Sequence, residues 1–81
     1  MNDKKAGASY TRVLGLTVRR HREIRGINLT TMAKRMEMSV SGWSRVETGA
    51  TTMTVDQLCR AAKAIKLEAW LIVKQAEEDS P

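Results

Sequence analysis

The stretch from Asn28 to Gly49 constrains the fold more than any other, because it fits two short helices and a tight joint into little chain length. Asn28 and Ser39 are residue types that favour helix N-caps, and Gly49 permits the left-handed backbone that often ends a helix. These signals predict one helix through Met36 and a second through Thr48, a helix-turn-helix. Helices this short do not persist alone in water, so neighbouring segments must hold them in place.

Three further helices are predicted around this pair. The first covers residues 9–25 and ends at Gly26, the fourth starts at a capping box formed by Thr54 and Gln57, and the fifth covers residues 68–78. Apolar residues at helical spacing predict the buried faces. They are Val13, Leu14, Val18 and at the margin Leu16 in the first helix, Met32, Ala33, Met36, Trp43 and Val46 in the pair, and Val55, Leu58, Cys59, Ala62 and Ile65 in the fourth.

The predicted fold class is all-α, with one domain over residues 9–78, a mobile arm over residues 1–8 and a frayed tail over residues 79–81. A chain of 81 residues is near the lower limit for a core without disulfides or metal. Its single cysteine, Cys59, excludes an internal disulfide and a cysteine-based zinc site. The helical spacing predicts that Cys59 is a small buried hydrophobe rather than a reactive thiol.

Positive charge is concentrated in the first half of the chain. Residues 1–45 hold ten of the fourteen Lys and Arg residues but three of the nine Asp and Glu residues. This half includes the helix pair, so the distribution favours a polyanionic partner, with nucleic acid ahead of a membrane surface. A basic surface that serves only solubility is the alternative, and charge alone does not separate the two.

Other function classes find little support. The longest apolar run, Ala69 to Val73, is too short to span a bilayer, and the polar start lacks the apolar region of a signal peptide, so we expect a soluble cytoplasmic protein. His21 is the one histidine and stands among arginines, where a surface position is expected. The residues form no catalytic set and no metal-ligand spacing, so we expect no enzyme activity, cofactor, metal or small-molecule ligand.

The fifth helix opens with apolar residues on nearly all sides, more than one small core can cover. We therefore expect part of this helix to meet a second subunit, through Trp70, Leu71 and Val73. The alternative is that Trp70 or Leu71 folds back onto the core of its own chain.

The residues from Leu14 to Val73 resemble the Xre family of Cro- and lambda-repressor-like helix-turn-helix regulators, most closely its small controller-like members. The matching features are Leu14-Gly15, Arg19 and Arg22, Gly26-Ile27, Ala33, Ser39 and Glu47-Thr48-Gly49. The resemblance implies a five-helix lambda-repressor-like DNA-binding domain with its helix-turn-helix at helices 2 and 3. It implies a sequence-specific transcriptional regulator, a repressor that binds a near-palindromic operator as a homodimer.

The resemblance also assigns roles to residues. Arg22 and Glu47 are expected to form a structural ion pair between the first and third helices. Base contacts are expected from Arg45, Ser41, Ser44, Val40 and Gly42, with Arg45 the main reader because a guanidinium can bind guanine O6 and N7 together. Phosphate contacts are expected from Asn28, Arg19, Thr51 and Thr52, and more weakly from Lys34 and Arg35.

Two positions depart from the family pattern. Leu29 stands where many members have a glutamine that contacts DNA, and Val40 stands where a long polar residue is usual. Fewer polar readers imply reliance on thymine methyl groups and DNA shape, or a surface that has drifted from sequence-specific binding. The rival hypothesis is therefore a protein-interaction module on the same fold, such as an antitoxin or a phage-encoded inhibitor.

Overall fold

The computed structural model describes residues 3–80, and the side chains of residues 10–80. Five α-helices and no strands are found over this range, which confirms the all-α prediction. The helices are α1 (Asp3–Ile24), α2 (Leu29–Arg35), α3 (Val40–Thr48), α4 (Val55–Ala64) and α5 (Ala69–Asp79). None of these helices combines the length and the apolar character needed to cross a membrane.

The capping signals in the sequence act as predicted. The side chain of Asn28 accepts a hydrogen bond from Thr31 N at 2.7 Å, and Ser39 Oγ accepts one from Gly42 N at 3.0 Å. Gly49 ends α3 in the left-handed conformation with φ of 84°. At α4, Thr54 and Gln57 form the expected reciprocal capping box. These caps satisfy backbone groups that the helix ends would otherwise leave without partners.

The two ends of the domain differ from the prediction. Helix α1 begins at Asp3, so residues 3–8 are helical rather than an irregular arm, while residues 1 and 2 lie outside the described residues. Helix α5 includes Asp79, whose carboxylate accepts a hydrogen bond from Arg20 Nη1 at 3.2 Å. Asp79 is therefore tied to α1 and is not part of a frayed tail.

The core joins all five helices. Glycine and alanine let the helices approach closely: a Cβ added at Gly15 of α1 would lie 2.6 Å from the carbonyl oxygen of Glu47 in α3 and still closer to that of Val46. The core side chains predicted in the helix pair are buried, as is Ile72 of α5. The largest fully buried ones are Trp43, Met32, Met36, Ile65, Ile72, Val18 and Val46.

Three predicted core residues are exposed instead. Cys59 lies on the surface, Val55 is 75% exposed and Leu16 is 39% exposed. Helix α4 buries Ala61 and Ala62, Leu58 is partly buried, and the C-cap residue Ile65 is buried in line with them. The helical spacing of this face turns Cys59 outward. Val55 is the first residue of α4, so it lies at the end of the helix, before the buried part of this face begins.

His21 is also placed differently from the prediction, since its ring is half-buried between α1 and α5. Its Nε2 lies 2.7 Å from Gln75 Oε1, and its Nδ1 lies 3.3 Å from Arg25 Nη1. A ring that carries its proton on Nε2 satisfies both contacts, because Nε2 then donates to the amide oxygen and Nδ1 accepts from the guanidinium. His21 therefore helps to join α1 to α5.

Candidate nucleic-acid interface

The outward face of α3 is formed by residues that recur at one side of the helix. Val40, Ser41, Arg45 and Thr48 are exposed and Ser44 is partly exposed, whereas Trp43, Val46 and Glu47 face the core. Helical spacing places the first group on a single surface strip. This strip offers one guanidinium, three hydroxyls and the Val40 side chain, which is 41% exposed. Such a set can donate to and accept from base edges and can contact a thymine methyl group.

The loop after α3 folds back onto the same end of the helix. Thr51 N donates to the carbonyl oxygen of Arg45 at 3.1 Å, and Thr48 Oγ1 donates to the same oxygen at 3.2 Å. Thr51 and Thr52 are exposed. These hydrogen bonds hold Thr48 and Thr51 against the backbone of Arg45, at the end of the α3 strip.

Gly42 has a local structural role at the start of α3. Its amide donates to the Ser39 hydroxyl that caps the helix, and a Cβ at Gly42 would lie 2.9 Å from that oxygen. The absence of a side chain therefore keeps the capping hydroxyl in place. This accounts for the glycine without a bend in the helix.

The inner face of α3 is held by buried polar contacts. Arg22 Nε and Nη2 donate to the two carboxylate oxygens of Glu47 at 2.8 and 3.0 Å, so the predicted ion pair is present and bidentate. Arg22 Nη1 also donates to the carbonyl oxygen of Ile27 at 2.7 Å, at the entry to α2. Trp43 Nε1 donates to Glu47 Oε2 at 2.6 Å. The Arg22 guanidinium thus connects α1 to α3 and to the segment before α2.

The predicted phosphate-binding residues lie in different settings. Asn28 uses its side-chain oxygen to cap α2, which leaves the amide nitrogen as the group that can donate outward. Arg19 shares an exposed ion pair with Glu23 at 3.2 Å, and Lys34 is exposed. Arg35 Nη1 donates to the carbonyl oxygen of Ala64 at 3.0 Å, which directs its guanidinium toward the end of α4.

Leu29, one of the two departures from the family pattern, packs partly buried against the core. It is therefore a packing residue at the start of α2 rather than a free apolar contact. The sequence pattern predicts no functional role for Thr48 or for the Trp43 indole. The spacing of Thr48, eight residues after Val40, is the signal that places it on the same strip.

The apolar residues of α5 divide between core and surface. Ile72 is fully buried and Leu71 is half-buried, whereas Trp70 is 60% exposed and Val73 is 39% exposed. Trp70 therefore does not fold back onto its own core. Trp70 and Val73 are thus exposed apolar side chains on α5, on a different helix from the α3 strip.

Comparison with known proteins agrees with this architecture. The family model described as a helix-turn-helix domain matches residues 13–69. Among solved structures, the chain is similar to the clp gene regulator ClgR from C. glutamicum, with a TM-score of 0.81 and 20% sequence identity over 85% of this chain and 90% of that one. At this identity the similarity concerns the fold. No curated protein matches the sequence.

Proposed function

Because the chain belongs to the helix-turn-helix domain family, we propose that it is a DNA-binding transcriptional regulator that represses from a near-palindromic operator as a homodimer. The observation that carries the proposal is the exposed strip of α3. The opposite, buried side of this helix is fixed to α1 by the ion pair of Arg22 and Glu47. A helix held at a fixed angle presents its side chains to a DNA groove without first having to be ordered. This is a binding function and includes no catalytic step.

Base reading in this proposal is led by Arg45. Its exposed guanidinium can donate to O6 and N7 of one guanine, an interaction that discriminates by about 1–3 kcal/mol. Ser41 and Ser44 supply hydroxyls to a base or a phosphate, and the exposed side chain of Val40 matches a thymine methyl group. Gly42 brings backbone close to the DNA, and we add Thr48 because it lies on the same strip.

Phosphate contacts in this proposal surround the strip. The main donors are the Asn28 amide and the hydroxyls of Thr51 and Thr52. Arg19 is a further donor once its guanidinium leaves the exposed ion pair with Glu23. Lys34 is a further cation on α2. Arg35 is the weakest candidate, because leaving the Ala64 carbonyl costs it a hydrogen bond.

Homodimer formation gives the proposed operator its symmetry. Two copies joined through Trp70, Leu71 and Val73 would present two α3 helices to successive major-groove faces, about 34 Å apart. Occupancy of such a site blocks access of polymerase to the same DNA. Repression then depends on protein concentration, because the dimer must form before both half-sites are bound.

Selection of binding sites from a random duplex DNA library with the full chain tests the proposal. The expected result is an inverted repeat with half-sites about 10 base pairs apart, centre to centre. Ser41→Glu on the α3 strip should abolish enrichment, while Ile24→Glu, which adds the same charge at a residue that is 75% exposed, should not. A library that stays random with the parent chain would contradict sequence-specific binding.

The rival function is a protein-interaction module. The exposure of Val40 favours it, because the first residue of the α3 strip is then an apolar side chain that can contact another protein. A stoichiometric protein partner recovered together with unbiased binding to random DNA would support this function. The packing of Leu29 against the core removes one of the three apolar features that permit this function, and Val40 and the exposed apolar side chains of α5 are the other two.

A further inference from the structure

An open apolar cleft lies between the first turns of the described part of α1, the segment before α4 and the exposed side of α5. Its walls are mostly carbon, and Glu77 is the one charged side chain among the lining residues that the structure describes. The residues that matter here are Tyr10, Leu14, Met53, Val73, Ala76 and Glu77. Such a cleft suits a large apolar group that carries a single hydrogen-bond donor.

Trp70 has this chemistry and lies on the same side of α5. Residues 70, 73 and 77 are spaced as neighbours on one helix face, while Ile72 faces the core. A helical side chain leans toward the N-terminus of its own helix, which carries the Trp70 ring away from Val73 and Glu77. Trp70 therefore does not fill the cleft of its own chain, and its ring stays 60% exposed.

We infer that the cleft is the docking site for Trp70 of a second copy of this chain, an inference that rests on the homodimer in the proposed function. Two α5 helices that pair antiparallel about a two-fold axis near Val73 place each Trp70 opposite Glu77 of the other copy. The arrangement is self-complementary, as a two-fold interface requires. Each indole ring then enters apolar walls, and its N–H donates to the Glu77 carboxylate.

Charge along α5 fits the same arrangement. Lys74 is exposed one turn before the acidic residues 77–79. With Trp70 opposite Glu77, each Lys74 lies beside the two-fold axis, about one helical turn from the acidic residues 77–79 of the other copy. The two acidic turns then lie at opposite ends of the contact, whereas parallel pairing would set them side by side. The exposed face of α5 thus favours a second α5 in the opposite direction.

This contact also reaches the candidate DNA-binding surface. Thr52 and Met53 line the cleft, and they directly follow Thr51, which is hydrogen-bonded to the Arg45 carbonyl. A tryptophan seated against Met53 restrains the loop that carries the proposed phosphate contacts. Docking of the second copy therefore orders part of the surface that binds DNA.

Sedimentation equilibrium of the full chain without DNA tests the docking site. Trp70→Ala and Val73→Glu should each raise the dimer Kd by on the order of a thousandfold, because a substitution in a homodimer removes both symmetry-related anchors and one anchor is worth about thirtyfold. Val55→Glu is the matched control, since it places the same charge at another exposed valine and should leave the Kd unchanged. Circular dichroism and urea unfolding below the dimer Kd verify that each variant folds.

Mixing the two variants gives a sharper result. In a heterodimer of Trp70→Ala with Val73→Glu, the tryptophan of the second chain meets the intact cleft of the first, so one of two contacts is restored. The mixture should dimerise more tightly than either variant alone. Failure to do so would overturn reciprocal docking, as would a Val55→Glu variant that dissociates like Val73→Glu.

Fluorescence quenching of the parent chain supplies a test without substitution. Trp43 is fully buried, so iodide quenching reports on Trp70, and it should fall as the concentration passes through the dimer Kd. Quenching that stays constant while the dimer forms overturns the docking site but leaves the homodimer standing. A parent chain that remains monomeric overturns the homodimer itself. If Trp70 is protected from iodide by an added hydrophobic small molecule and not by dimer formation, the second copy is not what occupies the cleft.

Discussion

Arg22 and Glu47 form a two-point ion pair inside the protein, with side chains that are 8% and 3% exposed. The pair joins α1 to the last turn of α3. Charges removed from water are tolerated when they are paired and fully hydrogen-bonded, and the Ile27 carbonyl and the Trp43 indole complete the bonding of the two groups. The angle at which α3 meets DNA in the proposed function therefore depends on one buried carboxylate.

Replacing Glu47 with glutamine should lower the free energy of unfolding by about 3–5 kcal/mol, because buried Arg22 would keep only the exposed Glu23 carboxylate, 4.0 Å away, as a counter-charge. This loss approaches the whole stability of a domain of this size. Urea unfolding followed by circular dichroism should show a much lower midpoint or no cooperative transition.

The matched control for this substitution is Asp79→Asn, which breaks the pair between Arg20 and Asp79. Both side chains of that pair are about half exposed, so its loss should cost about 1 kcal/mol or less. Equal losses for the buried and the exposed pair would contradict the role given to Glu47.

Trp43→Phe removes the indole donor but keeps an aromatic ring in the core. Glu47 Oε2 then loses a buried partner at 2.6 Å, and we expect a loss of about 1–3 kcal/mol in urea unfolding, in addition to the smaller ring volume. In the Glu47→Gln background the same substitution should cost less, because the two residues share one network. If the losses of unfolding free energy from the two substitutions add fully, the indole acts through packing alone. Trp70→Phe is the control at an exposed site, and it should leave the unfolding free energy nearly unchanged below the dimer Kd.

Gly15→Ala should destabilise the protein by about 1–3 kcal/mol, because the new methyl group would overlap the backbone of α3 at Val46 and Glu47. Backbone atoms cannot move aside as a side-chain end can, so α1 and α3 must separate. Gly26→Ala is a useful comparison: nothing lies within 4 Å of its Cβ, and its cost of about 1–2 kcal/mol comes from a φ of 70°. The two differ in tertiary effect, since only Gly15→Ala should alter the near-ultraviolet circular dichroism of buried Trp43.

Local chemistry explains why the helix-turn-helix was predicted well. Caps at Asn28, Ser39 and Thr54 and the left-handed Gly49 act over three or four residues, so sequence alone identifies them. The pairing of Arg22 with Glu47 spans two helices, and the family resemblance supplied it. The indole donor on the same carboxylate was not foreseen, because the spacing of Trp43 predicts burial but not the acceptor beside its nitrogen.

Features that depend on packing between helices were harder to predict. The sequence of α4 is compatible with more than one apolar face, and the face that is buried runs through Ala61 and Ala62 and leaves Cys59 exposed. Thr17 of α1 is a polar residue that is buried without an unpaired hydroxyl, because this hydroxyl donates to the Val13 carbonyl of the same helix at 2.8 Å. Asp3 and Ser9 are both residue types that favour helix N-caps, so the sequence does not decide where α1 begins.

Arg45→Ala and Lys34→Gln should weaken DNA binding in different ways. Loss of Arg45 removes a base contact, so preference at one operator position should fall by about 1–3 kcal/mol while random DNA is bound almost as before, apart from the lost charge. Loss of Lys34 removes a phosphate contact, so binding should weaken on all sequences, and the slope of log K against log salt should become shallower by about 1.

Fluorescence anisotropy titrations on the selected operator, on single-base variants and on random duplex DNA at several salt concentrations separate the two effects. Lys63→Gln is the control for the loss of charge, since Lys63 is exposed on α4 outside the proposed contacts, and it should leave both the preference and the slope nearly unchanged. If Arg45→Ala weakens binding equally on every sequence, its guanidinium contacts phosphate, and base discrimination must come from Ser41, Ser44 and the shape of the DNA.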